Sequence, residues 1–354
     1  MERRDTWSAP GAGFLVHANG MRMLTSLGLG NGVKKGAVIR RWHFCDQQGD
    51  LLSQTDLEVL WGHTDPCVGI ERPELQRALL AGVVDVRCRL GTSVTALAQD
   101  DARVWVGFSD GSTGHYDLVI GADGMKSTVR DLILGTGSPS ELGAMTWRSI
   151  SQVRSIPGPT AIQFHLGDGC LFGFMPIGRG CTYGFNYVIT QRFRDSLEGR
   201  LERLRHRLRN FGPRVQEYLA ALERDDQVIC STMMWMEIKE WHAGRVVLVG
   251  DAAHASSPMM GQGGCMDDGG CLRARRGIAL GGYRGGRAGE LCPSAQAPRR
   301  VGPAPEHGSG QPSHRVCGGP QWNVARARHS VDAGSFRTAR ATSLACAQSS
   351  ASYQ

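Results

Sequence analysis

An α/β fold carrying an inserted antiparallel sheet is what this 354-residue sequence predicts, on three observations. Two short apolar runs, at residues 118–120 and 246–249, each end in glycine with an aspartate at most two residues beyond it. Short apolar runs of this kind are buried strands, and Gly-Asp at their ends marks a turn into a helix. Between them, residues 145–189 change to three strand-like runs separated by Gly167-Asp168-Gly169 and Gly178-Arg179-Gly180. Helical periods recur elsewhere in the chain, so the sheet sits inside a mixed fold rather than defining an all-β one.

The elements follow in order. Residues 19–29 read as a helix with Met23, Leu24 and Leu27 on one side, closed by Gly28 and Gly30. Residues 39–56 alternate enough for two strands around Gly49-Asp50, and residues 71–81 form a helix with Leu75, Leu79 and Leu80 inward. Strands are expected at 94–97 and 104–108, and Asp110-Gly111 turns the chain into a strand at 116–120. After the inserted strands, residues 195–223 make a basic amphipathic helical pair broken at Pro213, followed by a strand at 228–238. Beyond Met266 no period survives, and Gly, Pro, Arg, Ser and Ala dominate. Such a composition buries too little apolar surface to offset its ordering entropy, so disorder is expected from about residue 270.

The segment at 244–266, GRVVLVGDAAHASSPMMGQGGCM, is the richest in chemistry. The strand hides its own backbone, Asp251 offers an acceptor to a hydroxyl, and the glycines leave main-chain N–H groups free to hold anionic or carbonyl oxygens. The segment at 116–130, YDLVIGADGMKSTVR, repeats the design with Asp123-Gly124. Together the two motifs resemble those of the single-component FAD-dependent aromatic hydroxylases, flavoprotein monooxygenases of the para-hydroxybenzoate and salicylate hydroxylase type. The resemblance covers roughly residues 2–266. It implies an FAD-binding domain of the βαβ, glutathione-reductase-like type with an inserted substrate sheet. The expected division is 1–144 and 239–269 for the FAD domain, 145–238 for the substrate domain and 270–354 for the tail.

The same resemblance implies cofactor roles. Asp251 matches the aspartate that bonds the ribityl and pyrophosphate region, though it also reads as an N-cap. Gly261, Gln262, Gly263, Gly264 and Cys265 match the loop whose amides face the isoalloxazine ring, where negative charge develops on reduction. Asp123 and Gly124 match a motif near both FAD and the nicotinamide, or else form a strand-end Asx turn. Arg72 matches an arginine on the FAD phosphates, whose fork suits them, or is a solvated helix-end side chain. Val94 matches the residue whose backbone meets the adenine, and Glu2 the acid that binds the adenosine ribose. Pro258 shapes the wall beside the ring, and His254 is structural or flavin-proximal. Trp147, Gln163, Phe172, Phe174, Met175, Tyr183 and Phe185 supply an apolar pocket, with Tyr183 the candidate substrate-facing hydroxyl or a core tyrosine. Urate-hydroxylating members carry an Arg on the strand around Leu171, which argues against urate here.

The implied reaction is hydroxylation of a small aromatic or heteroaromatic substrate with O2 and NADH or NADPH, through an oxygen adduct at flavin C4a. The alternative is a non-catalytic remnant unable to hold FAD tightly. No GxGxxG precedes the helix at Asn19, since Gly11-Ala12-Gly13 matches a later family element, so the N-terminus is expected to be truncated within the first βαβ unit.

Bulk properties exclude other classes. No apolar run is long enough for a membrane span, and no signal-peptide pattern follows Met1. Eleven cysteines without a C-x-x-C pair point to reduced thiols in a cytoplasmic protein and away from zinc or a disulfide scaffold. The net charge of +7 lies wholly in the tail after Met266, where twelve arginines meet five acids. One RGG-like patch, GGYRGGRAGE, is a weak nucleic-acid motif, and no nucleic-acid partner is expected.

Overall fold

The computed structural model describes residues 1–265, apart from 8–10, 63–64, 136 and 154–157. The tail expected to be disordered, with its RGG-like patch, lies outside the described residues. In chain order the first third holds β1 (Gly13–Val16), α1 (Ala18–Ser26), α2 (Gly30–Val33), β2 (Ala37–Ile39), β3 (Arg41–Cys45), β4 (Leu51–Asp56), α3 (Leu57–Leu60), β5 (Cys67–Glu71) and α4 (Arg72–Leu80). Next come β6 (Val94–Gln99), β7 (Val104–Phe108), β8 (Thr113–Tyr116), β9 (Val119–Gly121) and α5 (Thr128–Leu134). The remainder is β10 (Ser140–Ser151), β11 (Ala161–Gly167), β12 (Cys170–Pro176), β13 (Thr182–Ile189), α6 (Arg200–Arg207), α7 (Pro213–Ala220), β14 (Ile229–Trp235), β15 (His242–Ala243), β16 (Val246–Leu248) and α8 (Asp251–His254).

Four sheets result. The largest has seven strands in the order β14-β10-β13-β12-β11-β3-β4, and three smaller ones are β1-β5-β2, β6-β7-β8 and β15-β16-β9. The seven-stranded sheet corrects two expectations. Residues 145–189 contribute to four strands rather than three, and the sheet is mixed, because β3 pairs parallel to β11 with Arg41 opposite Ala161 and Cys45 opposite His165. The strands at 41–56 thus belong to the large sheet, a long-range pairing that no local pattern announces.

Each face of that sheet is covered. On one, Trp147, Phe172 and Phe174 meet Leu204, Leu208, Val215 and Tyr218 of the α6–α7 layer. Pro213 opens α7, where its missing N–H costs nothing. The basic character of α6 has a use: Arg200 and Arg203 hold Asp195, which accepts the Trp147 indole N–H at 2.8 Å, and Arg207 lies 3.8 Å over the Trp147 ring. Ile162, Met175 and Tyr183 are on the opposite face, against Ala12, Ala18, Ile39 and Leu57. Four of the seven expected pocket residues are therefore ruled out of a common flavin-side wall: Trp147, Phe172 and Phe174 belong to the helix layer, and Gln163 bonds Arg214 of α7 at 3.2 Å.

Local expectations shift in detail. In α1 the buried positions are Ala18, Gly20, Met21 and Leu24, while Leu27, one residue past the helix, is 43% exposed. In α4 only Leu75 of the three leucines joins a core cluster, and Leu79 is exposed. The run at 116–120 splits: Tyr116 ends β8, whereas Val119 and Ile120 enter a different sheet as β9.

Candidate functional site

Two strands place the two aspartates. β9 and β16 run parallel, with Val246 opposite Val119 and Leu248 opposite Gly121, and the Val249 N–H extends the pairing to the Gly121 carbonyl at 2.9 Å. Asp123 and Asp251 therefore both emerge just past the C-terminal ends of neighbouring parallel strands. Open α/β sheets bind ligands in the crevice at such ends. The two segments are also tied together. Arg130, only 1% exposed, donates to the Ala252 carbonyl at 3.1 Å and to the Met125 carbonyl at 3.0 Å, so one guanidinium spans both loops.

The aspartates are used differently. Asp123 accepts the Ser127 hydroxyl and, at 3.0 Å, the Val129 N–H, while Ser127 caps α5 through the Arg130 N–H. Its carboxylate thus closes the turn into α5. Gly124 beside it has φ +82° and open space where a Cβ would stand. Asp251 opens α8, but Gly250 occupies the N-cap position with φ 62° and ψ −149°. The Asp251 side chain is exposed and takes no hydrogen bond among the described residues, so it is not spent on a cap. His254 stacks on Trp241 with ring centroids 5.0 Å apart. Burial lowers its pKa below the ordinary 6.5, and the Asp251 charge partly offsets this.

The glycine loop docks onto the start of the chain. Pro258 opens a short 3-10 turn, Gly261 closes it at φ +62°, and helical backbone follows at 263–265. A Cβ on Gly264 would come within 2.5 Å of the Phe14 ring, so glycine lets the loop lie this close to β1 without displacing that ring. Gln262 accepts the Asn19 amide N–H at 3.1 Å, and the His17 N–H donates to the buried Cys265 thiol at 3.3 Å. Gly263 lies near Ser256.

The Tyr183 ring lies against Gly13, within the core; burial raises its pKa to about 12, against the pull of Arg148 and Arg72, so the hydroxyl stays protonated. Arg72 is exposed at the start of α4, its N–H bonded to the Ala12 carbonyl at 2.9 Å. Glu2 is held by backbone bonds to Arg89 and Thr92, and Val94 opens β6 just beyond, so these two share one end of the fold.

Sequence reasoning missed two residues. His17 is fully buried, with Trp42 and Trp61 at ring-centroid distances of 5.8 and 6.0 Å. A Cβ on Gly261 would sit 3.1 Å from its Nε2. Arg130 was visible as the last letter of the YDLVIGADGMKSTVR motif, and His17 precedes the Ala-Asn-Gly that starts α1; neither position announces burial.

The site suits a large polar ligand such as FAD. It offers an unspent carboxylate at Asp251, an unobstructed glycine at 124, exposed Arg72, and a buried Asn19 Oδ1 with no hydrogen-bond partner among the described residues. A parallel strand pair with acids and glycines just past its ends defines the class as nucleotide-cofactor binding.

Comparison with known proteins agrees. Residues 1–266 match the FAD binding domain family, and the chain belongs to it, within the FAD-dependent aromatic hydroxylases. The FAD-dependent urate hydroxylase of Klebsiella pneumoniae is 32% identical over 286 residues, covering 76% of this chain and 73% of that protein. The aurachin C monooxygenase/isomerase of Stigmatella aurantiaca is 29% identical, covering 75% and 70%. The crystal structure of Klebsiella pneumoniae HpxO with FAD and uric acid superposes with a TM-score of 0.71 at 27% identity, covering 80% of this chain and 73% of that one. These relatives are FAD-dependent or named monooxygenases, and by family this chain is an enzyme. Among the described residues no helix is long and apolar enough to cross a membrane.

Proposed function

We propose that this chain uses NADH or NADPH and O2 to hydroxylate a small aromatic or heteroaromatic ring. The observation that carries the proposal is the adjacency of Asp123 and Asp251 at the ends of β9 and β16, held by Arg130. When bound, FAD supplies hydride acceptance from the nicotinamide and activation of O2. In this reading Asp251 accepts a hydroxyl of the ribityl chain, and the amides of Gly261 to Gly264 hold the electron-rich edge of the flavin ring. Cys265 pins that loop from behind through His17, and Asn19 fixes the Gln262 amide. Because the Asp123 carboxylate is occupied at α5, the open backbone at Gly124 makes the contact there. Arg72 takes a phosphate, Glu2 the adenosine ribose and the Val94 backbone the adenine. Pro258 and His254 form the wall beside the flavin, and Tyr183 stays neutral to donate a hydrogen bond while apolar neighbours exclude water. β12, the strand around Leu171 on which urate-hydroxylating relatives are expected to carry an Arg, has none, which favours a substrate other than urate.

The test is reconstitution. Purified full chain mixed with FAD and desalted is expected to stay yellow, and to oxidise NADH or NADPH faster when an aromatic substrate is present. A colourless protein after FAD addition replaces this reading with that of a non-catalytic remnant.

A further inference from the structure

A cavity of about 360 Å³ lies apart from the two aspartate loops, where the β2–β5 pair meets α3. Ligand pockets begin at about 300 Å³, enough for a bicyclic ring. Its floor is Ile39, Leu57 and Cys67, each no more than 2% exposed, and Trp61 and Pro66 form apolar walls. Burial raises the Cys67 thiol pKa to about 11, so the floor carries no charge.

The walls are fixed by backbone. Ile39 pairs with Cys67 across β2 and β5, the Leu57 N–H bonds the Arg40 carbonyl at 2.8 Å, and Asp56 caps α3 through the Glu58 and Val59 N–H groups. The rim is polar and unbalanced. Arg40 is paired with Glu58, which leaves Asp65 as a second acid with no matching cation in the lining. Among the described residues Asp65 accepts only the Thr25 hydroxyl, at a long 3.3 Å. Trp61 separates the cavity from His17, and His17 in turn faces Gly261, so the occupant is a neighbour of the flavin loop and does not line it.

We infer that this cavity binds a neutral, planar heteroaromatic molecule bearing N–H or O–H donors, and that it rejects aromatic carboxylates. The ring lies on the apolar floor beside the Trp61 indole. Its donors find the Asp65 and Glu58 carboxylates, whereas an anionic ligand meets a rim with one acid in excess. The site needs no cofactor and stands whether or not FAD binds.

The experiment is calorimetric titration of the full chain, without FAD, by 2-quinolone and by 2-naphthoate, which match in ring size and differ in charge. Saturable 2-quinolone binding at least tenfold tighter than 2-naphthoate is expected. Leu57→Trp, which fills the cavity, is expected to weaken 2-quinolone at least tenfold. Glu58→Gln, a change on the exposed rim that leaves Arg40 unmatched, is expected to shrink the preference to threefold or less. Equal affinities for the two probes, no saturable 2-quinolone binding, or a preference unchanged in Glu58→Gln overturns the inference. Loss of flavin binding alone would count against the proposed function and leave this site in place.

Discussion

The loops after β9 and β16 share a signature, an apolar strand ending in glycine and then aspartate, yet the two carboxylates do opposite work. Asp123 is tied into its own helix by the Ser127 hydroxyl and the Val129 N–H. Asp251 follows Gly250, which has taken the N-cap position, and its carboxylate is left exposed. One motif letter therefore stands for a structural brace in one loop and an available acceptor in the other. What decides is the fourth residue on: Ser127 has a hydroxyl to claim the first aspartate, whereas Ala255, in the equivalent place, has none to offer the second.

The largest effect should come from the residue that both loops share. Arg130→Met is expected to lower the unfolding free energy by about 3 kcal/mol, because it strips two carbonyls of a charged donor inside the protein. Chemical denaturation measures this, and a change below about 1 kcal/mol would show that the loops are not joined through it.

Acid should act on the whole fold in a comparable range. His165, 1% exposed beneath α7, has its pKa lowered to about 4, mainly by burial and next by Arg214. A depressed histidine pKa means the unfolded chain binds the proton more readily. Stability is then complete above the ordinary 6.5 and falls as the pH drops from there to about 4, by on the order of 3 kcal/mol. His165→Phe is expected to flatten that slope, and both loops should lose structure together.

The aspartates themselves separate by which measurement responds. Asp123→Ala is expected to cost about 1 kcal/mol of stability, as for a lost helix cap. Asp251→Ala is expected to leave the melting midpoint nearly unchanged and to weaken FAD about tenfold, equivalent to about 1.4 kcal/mol. Identical behaviour of the two variants would erase the distinction. The smallest effect is a titration shift: Asp251→Asn removes a charge that raises the His254 pKa, so the imidazole should titrate at lower pH by NMR.

Much of the site could be read from the chain because its signals are local. A strand ending in Gly-Asp is a contiguous pattern, and both aspartate loops stand where that pattern puts them. The glycine loop is equally visible, since Gly264 must be small for Phe14 to approach. What escaped depends on partners far along the chain. Leu27 and Leu79 fit helical periods, but among the described residues no neighbouring element covers them. His17 is polar in isolation and becomes buried only when Trp42, Trp61 and Gly261 converge on it. The pocket assignment failed because alternation along a strand tells two faces apart without saying which one the helices claim.

The parallel pairing of β3 with β11 has a consequence for biogenesis. Residues 41–45 pair with 51–56 on one edge, and their other edge has no mate until residues 161–165 have been made. At typical elongation rates that interval lasts on the order of ten seconds. Through it the nascent β3–β4 hairpin stands with one edge unsatisfied, a stretch of synthesis during which a holding chaperone would have something to hold.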